Sequence, residues 1–128
     1  MNLQRVWWAL GVVLVVVAIL VCLVPIHDVA PSFDWNDKAS HLVGHGTLAL
    51  YFAGLVPRRS WWKIFVFLLL MGVAIEFAQY FMQLGRSGDP RDVLANSAGA
   101  ALGLLAGRMG GARWPELGAW LLGRRAAQ

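Results

Sequence analysis

Long apolar blocks separated by short polar breaks run through the chain, and they predict its elements. Val6 to Val24 carries no charge and ends at Pro25. At about 19 residues it is long enough to cross a bilayer as a helix. No small-residue cleavage site follows, and Val21 stands before Cys22 where a lipoprotein signal needs a small residue, so a retained helix is expected. A second run, 38–56, is less apolar and holds His41, Gly44, His45 and Gly46 before Pro57-Arg58-Arg59. The third, 61–83, is most hydrophobic in its first half and carries Glu76, Gln79 and Tyr80 in its second. The turn Gly85-Arg86-Ser87-Gly88-Asp89-Pro90 leads to a fourth run, 92–108, rich in small residues. Gly110-Gly111 breaks that helix, and in the tail, 113–123, Trp114, Leu117, Trp120 and Leu121 recur at roughly helical spacing, followed by Arg124. This pattern suits an amphipathic interfacial helix. The expected fold is a single all-α integral membrane domain over residues 1–128: four transmembrane helices and a short interfacial C-terminal helix.

Composition strengthens the membrane reading. Hydrophobic residues make up 59% of the 128, charged residues 14%, and the mean hydropathy is +0.60. A soluble domain carries about 25% charge. The net charge of +4 brings no basic stripe interleaved with aromatics, so no nucleic-acid partner is expected. With one cysteine, Cys22, no internal disulfide forms, and His27 is a lone loop histidine to which nothing is assigned. The seven tryptophans lie mostly near span ends, where headgroup anchoring accounts for them.

Where the charges fall sets the orientation. With both termini cytoplasmic, Arg5, Arg58, Arg59, Lys63, Arg108, Arg113, Arg124 and Arg125 lie inside, eight of eleven basic residues. Lys38, Arg86 and Arg91 then lie outside, together with Asp28, Asp34, Asp37, Asp89 and Asp92. The reverse orientation would break the positive-inside bias. The expected topology is therefore N-in, C-in.

Polar residues inside the spans line up by depth. Asp37, His41 and His45 are four residues apart and share one helix face. Counted from the outer side, His41 lies about one turn deep and His45 about two. On the third run Gln79 and Tyr80 lie about one turn in and Glu76 about two, and on the fourth Asn96 lies one turn below Asp92. Matched depth on three helices predicts a shared polar pocket open to the extracytoplasmic side. On the fourth run Gly99, Gly103, Gly107 and Gly111 recur every four residues, a groove for close helix packing within or between chains. A homodimer or a partner in an envelope complex is compatible with that groove.

Taken together, Asp37-Lys38-x-x-His41, Glu76-x-x-Gln79, Gly85-Arg86, Asp92-Val93-Leu94-Ala95-Asn96, Gly99 and Gly103 resemble the signature of the VanZ-like family. The likeness extends from the second run through the fourth. It implies a small bacterial envelope membrane protein; the founding member of the family is associated with low-level resistance to the glycopeptide antibiotic teicoplanin. His45 and the full glycine ladder are read from this sequence and not carried from the family.

Three functions compete for these residues. The first is binding or handling a membrane lipid or lipid-linked envelope precursor by its headgroup, through Asp37, Lys38, His41, His45, Glu76, Gln79, Arg86, Asp92 and Asn96. The second is an intramembrane enzyme acting on a lipid-linked phosphate, with His41 and Glu76 as the candidate acid–base pair and Arg86 as charge stabiliser. The third is a structural subunit whose polar pairs only fix helix register. The balance leans to binding over catalysis. A metal is weighed and set aside: Asp37, His41, His45 and Glu76 are suitable ligand types, but Lys38, Arg86 and Arg91 share the layer and ion pairing accounts for them. No cofactor is expected.

Overall fold

A computed structural model describes residues 3–24, 37–82, 88–111 and 113–126. Among these almost every residue is helical, and none is in a strand. Five α-helices follow one another: α1 (Leu3–Leu23), α2 (Asp37–Ala53), α3 (Trp61–Met82), α4 (Pro90–Gly110) and α5 (Trp114–Ala126). A short 3-10 turn, Arg58–Ser60, leads into α3. Leu3–Leu23 and Arg58–Met82 are each long and apolar enough to cross a membrane. The ligand and loop expectations for His27, Asp28, Asp34, Trp35, Gly85 and Arg86 fall outside the described residues, and Asp37 is described only in its backbone.

Local chemistry sets the helix ends. α2 stops at Ala53, short of the expected Val56, because Gly54 N–H and Leu55 N–H bond to the carbonyls of Tyr51 and Phe52, three residues back (3.1 and 3.0 Å). Such bonds tighten a last turn and end the helix. The Trp114 indole N–H also donates to the Tyr51 carbonyl (2.7 Å), so α5 helps to close the end of α2. α4 begins at Pro90, two residues earlier than expected. Proline suits the first helical position, and Asp89 caps it by accepting from Arg91 N–H (2.9 Å). At the other end Gly111 takes the left-handed conformation (φ 60°) that a side chain would strain.

α2 and α4 form the closest pair, and α3 packs against α4. A Cβ at Gly99 would overlap the Leu42 carbonyl, and one at Gly103 the Gly46 carbonyl. The seam is therefore backbone against backbone, which only glycine permits. Leu48, Ala49, Phe52, Ile64, Leu68, Met71, Ile75 and Ala100 fill the interior beside it. The outward faces are apolar as well: Val12, Val16, Leu70, Phe77, Leu94 and Leu105 are all exposed. A protein in water covers such a surface, whereas lipid is a suitable solvent for it.

Candidate functional site

The polar residues of three helices meet at one end of the bundle. That end gathers the first turns of α2 and α4 and the second half of α3; the opposite end holds Pro57, Arg58 and Trp61. His41 (0% exposed), Asn96 (0%), Asp92 (1%) and Glu76 (8%) are all buried there. Burying polar groups among apolar helices is unfavourable unless they satisfy one another. The contacts show how far they do.

His41 is oriented from one side. Its Nδ1 lies 3.0 Å from Asn96 Oδ1, which only accepts, so Nδ1 carries the proton and donates. Its Nε2 then faces two carboxylates, Glu76 Oε1 at 3.9 Å and Asp92 Oδ2 at 3.8 Å. The far oxygen of each carboxylate is held elsewhere. Glu76 Oε2 accepts from the Asp89 backbone N–H (2.8 Å), and Asp92 Oδ1 pairs with Lys38 Nζ (3.1 Å). Lys38 also reaches Asp89 Oδ2 (3.0 Å), joining α2 to the cap of α4. The Asp89 carboxyl lies below its ordinary value, first because Arg91 N–H donates to it and second because of the Lys38 ammonium.

In this cluster Glu76 Oε1 and Asn96 Nδ2 are among the buried atoms that keep unused bonding capacity within the described residues. The Asn96 amide lies over Gly72, where a Cβ would come within 2.6 Å of Nδ2. Gly72 therefore makes the room that lets Asn96 reach His41.

Of the residues singled out from the sequence, Lys38, His41, Glu76, Asp92 and Asn96 come together in this cluster. His45 is buried one turn along α2, its Nδ1 donating to the His41 carbonyl (3.2 Å). Gln79 turns toward α1 and donates to the Cys22 carbonyl (2.7 Å). Tyr80 faces outward, edge-on to Phe81. Gly99, Gly103 and Gly107 lie on the face of α4 turned to α2. Sequence reasoning left out Asp89 and Gly72. Asp-Pro before a small-residue helix was a readable capping signal; Gly72, inside an apolar run, left none.

An all-helical bundle with an apolar exterior, two membrane-capable helices and a buried His–carboxylate cluster defines a membrane protein with polar chemistry at one end. The sequence model of the VanZ/LLP1 family matches residues 14–110, a stretch that contains every residue of the cluster. The chain belongs to the VanZ/LLP1 family. No curated protein and no solved structure matches it.

Proposed function

We propose that the chain is a four-span protein of the bacterial cytoplasmic membrane, with both termini inside, that handles the headgroup of a cell-envelope lipid or lipid-linked glycan. On this reading α1 to α4 cross the bilayer and α5 lies along the inner surface. Positive-inside bias favours placing Arg58, Arg59, Lys63 and Arg108 in the cytoplasm. The His41–Glu76–Asp92 end then faces the envelope. Membership in the VanZ/LLP1 family favours a tie to glycopeptide resistance, through an envelope component that teicoplanin also meets.

The observation that carries the reading is the buried cluster itself, with Glu76 Oε1 and Asn96 Nδ2 left as spare acceptor and donor. Ionisable groups inside a span are costly and mark functional paths. A hydroxyl-rich or phosphate-bearing headgroup at the rim offers partners for both kinds of atom. In lipid nanodiscs, native mass spectrometry is expected to show a retained lipid or glycolipid that is lost from Glu76→Gln. Alanine at Glu76 or Asp92 should abolish any effect of expression on teicoplanin susceptibility while the protein still inserts. Full function in both variants sinks the proposal. If Glu76→Gln is silent in both assays, the structural-subunit reading replaces it.

A second reading, catalysis on a lipid-linked phosphate, draws on the bond between Asn96 and His41 Nδ1. That bond fixes the tautomer and aims Nε2 at the carboxylates, as an acid–base histidine requires. Turnover of a lipid phosphate with a pH dependence abolished by His41→Gln supports it; no turnover across envelope lipids rejects it.

A further inference from the structure

We propose that His41, Glu76 and Asp92 bind a divalent metal ion through one imidazole nitrogen and two carboxylate oxygens. Although no metal is expected from the sequence, the geometry points to one on three counts.

The first is convergence. The ligating atoms of the three residues all lie within 4.8 Å of one another, and all three residues are buried. His41 Nε2 stands 3.9 Å from Glu76 Oε1 and 3.8 Å from Asp92 Oδ2. These gaps exceed a hydrogen bond. Bonds of about 2.0–2.2 Å at near-tetrahedral angles separate ligands by roughly 3.3–3.5 Å. Shifts of about half an ångström close the two His41 gaps, and bringing all three atoms in from 4.8 Å takes rather more than one ångström between the carboxylates.

The second count is the outer ring of contacts. Each residue has one atom tied back and one aimed at the centre. Asn96 holds His41 Nδ1, the Asp89 N–H holds Glu76 Oε2, and Lys38 holds Asp92 Oδ1. Metal-binding histidines and carboxylates are oriented in this way by a second set of partners. Glu76 Oε1, which completes the inner face, is buried and has no hydrogen-bond partner among the described residues.

The third is charge. His41 Nε2 faces two carboxylate oxygens, Glu76 Oε1 and Asp92 Oδ2. Glu76, Asp89 and Asp92 are three carboxylates, met among the described residues by the Lys38 ammonium and, at Asp89, by the Arg91 charge. A divalent cation supplies positive charge where the carboxylates outnumber their cations and can be held by all three ligand atoms at once. One nitrogen and two oxygens without thiolate suit zinc or manganese, and not copper(I) or an iron–sulfur cluster.

Three protein ligands leave at least one coordination position for an outside oxygen. That a headgroup phosphate or hydroxyl fills it rests on the function proposed above; binding of the ion does not.

The test uses the full chain in nanodiscs, stripped with chelator and reloaded with zinc or manganese. Elemental analysis should find about one ion per chain in wild type. Glu76→Gln and Asp92→Asn should each bind at least tenfold more weakly, with helical content by circular dichroism unchanged. Asn96→Ala keeps all three ligands and should weaken binding about 10–100-fold. Val16→Ala, on the exposed face of α1, should leave binding unchanged. Cobalt substitution provides a readout that needs no variant: visible d–d bands without thiolate charge transfer are expected. Wild type without a stoichiometric ion, an absent cobalt spectrum, or equal affinity in Glu76→Gln and Asp92→Asn overturns the proposal. Lipid retention is measured separately on the stripped protein. A lipid kept without metal binding refutes the ion and spares the headgroup reading; metal bound with no lipid retained does the reverse.

Discussion

α1 and α4 each contain 21 residues, yet they take part in the bundle in opposite ways. α1 is almost wholly apolar and buries only Gly11 and Cys22. α4 is far less hydrophobic and buries Asp92, Asn96, Gly99, Ala100, Gly103 and Gly107. Hydrophobicity decides which helix enters lipid, but it does not hold helices together there, because lipid tails are as apolar as leucine. Small residues and polar contacts do that. Of α1 to α4, the least hydrophobic helix is thus the centre of the assembly, and the most hydrophobic one its periphery.

The same glycine-to-alanine change on each helix tests this contrast most severely. Gly103→Ala drives a methyl into the Gly46 carbonyl, which belongs to backbone and cannot swing aside. A loss of about 3 kcal/mol or more is expected in detergent unfolding, at the upper end of overpacking costs. At Gly11 the new methyl meets the Phe52 ring (2.9 Å), a side chain able to turn, so Gly11→Ala should cost only about 1 kcal/mol. Equal losses at the two sites would break the comparison.

Next in size is Asn96→Ala, which strips the buried partner from His41 Nδ1. It should destabilise by about 1–3 kcal/mol, the cost of an unmet buried donor, measured in the same assay. A smaller effect is expected of Asp89→Asn. Asparagine still caps α4, so the variant removes only the charge that Lys38 meets. Because the folded carboxyl lies below its ordinary value, its stabilisation is present above that value and is lost as pH falls through the folded one. Wild type should therefore melt higher at neutral pH, and the two curves should converge well below pH of about 4. The smallest change is Val16→Ala on the exposed face of α1, which should stay within about 0.5 kcal/mol.

Much of this contrast was legible in the chain. Hydropathy marked the helices, and four-residue spacing put His41 and His45 on one face of α2 and the glycines on one face of α4. The direction of individual side chains was not legible. Gln79 and Glu76 lie within one turn of each other on α3, yet Gln79 reaches the Cys22 carbonyl on α1 while Glu76 enters the cluster. Spacing fixes an angle around one helix, whereas the neighbour found at that angle depends on how all the helices pack. Asp89 is similar: its capping role is local, but its hold on Glu76 and Lys38 needs three helices in place.

By itself, then, the sequence determined the family, the helical architecture and the small-residue face of α4, because each is written in local composition and period. Only the tertiary structure decided that His41, Glu76 and Asp92 share one centre, each with its other polar atom held from outside. That arrangement depends on distances of a few ångströms between helices far apart in the chain. It follows from the backbone contact at Gly99 and Gly103 and the space over Gly72, which no periodicity encodes.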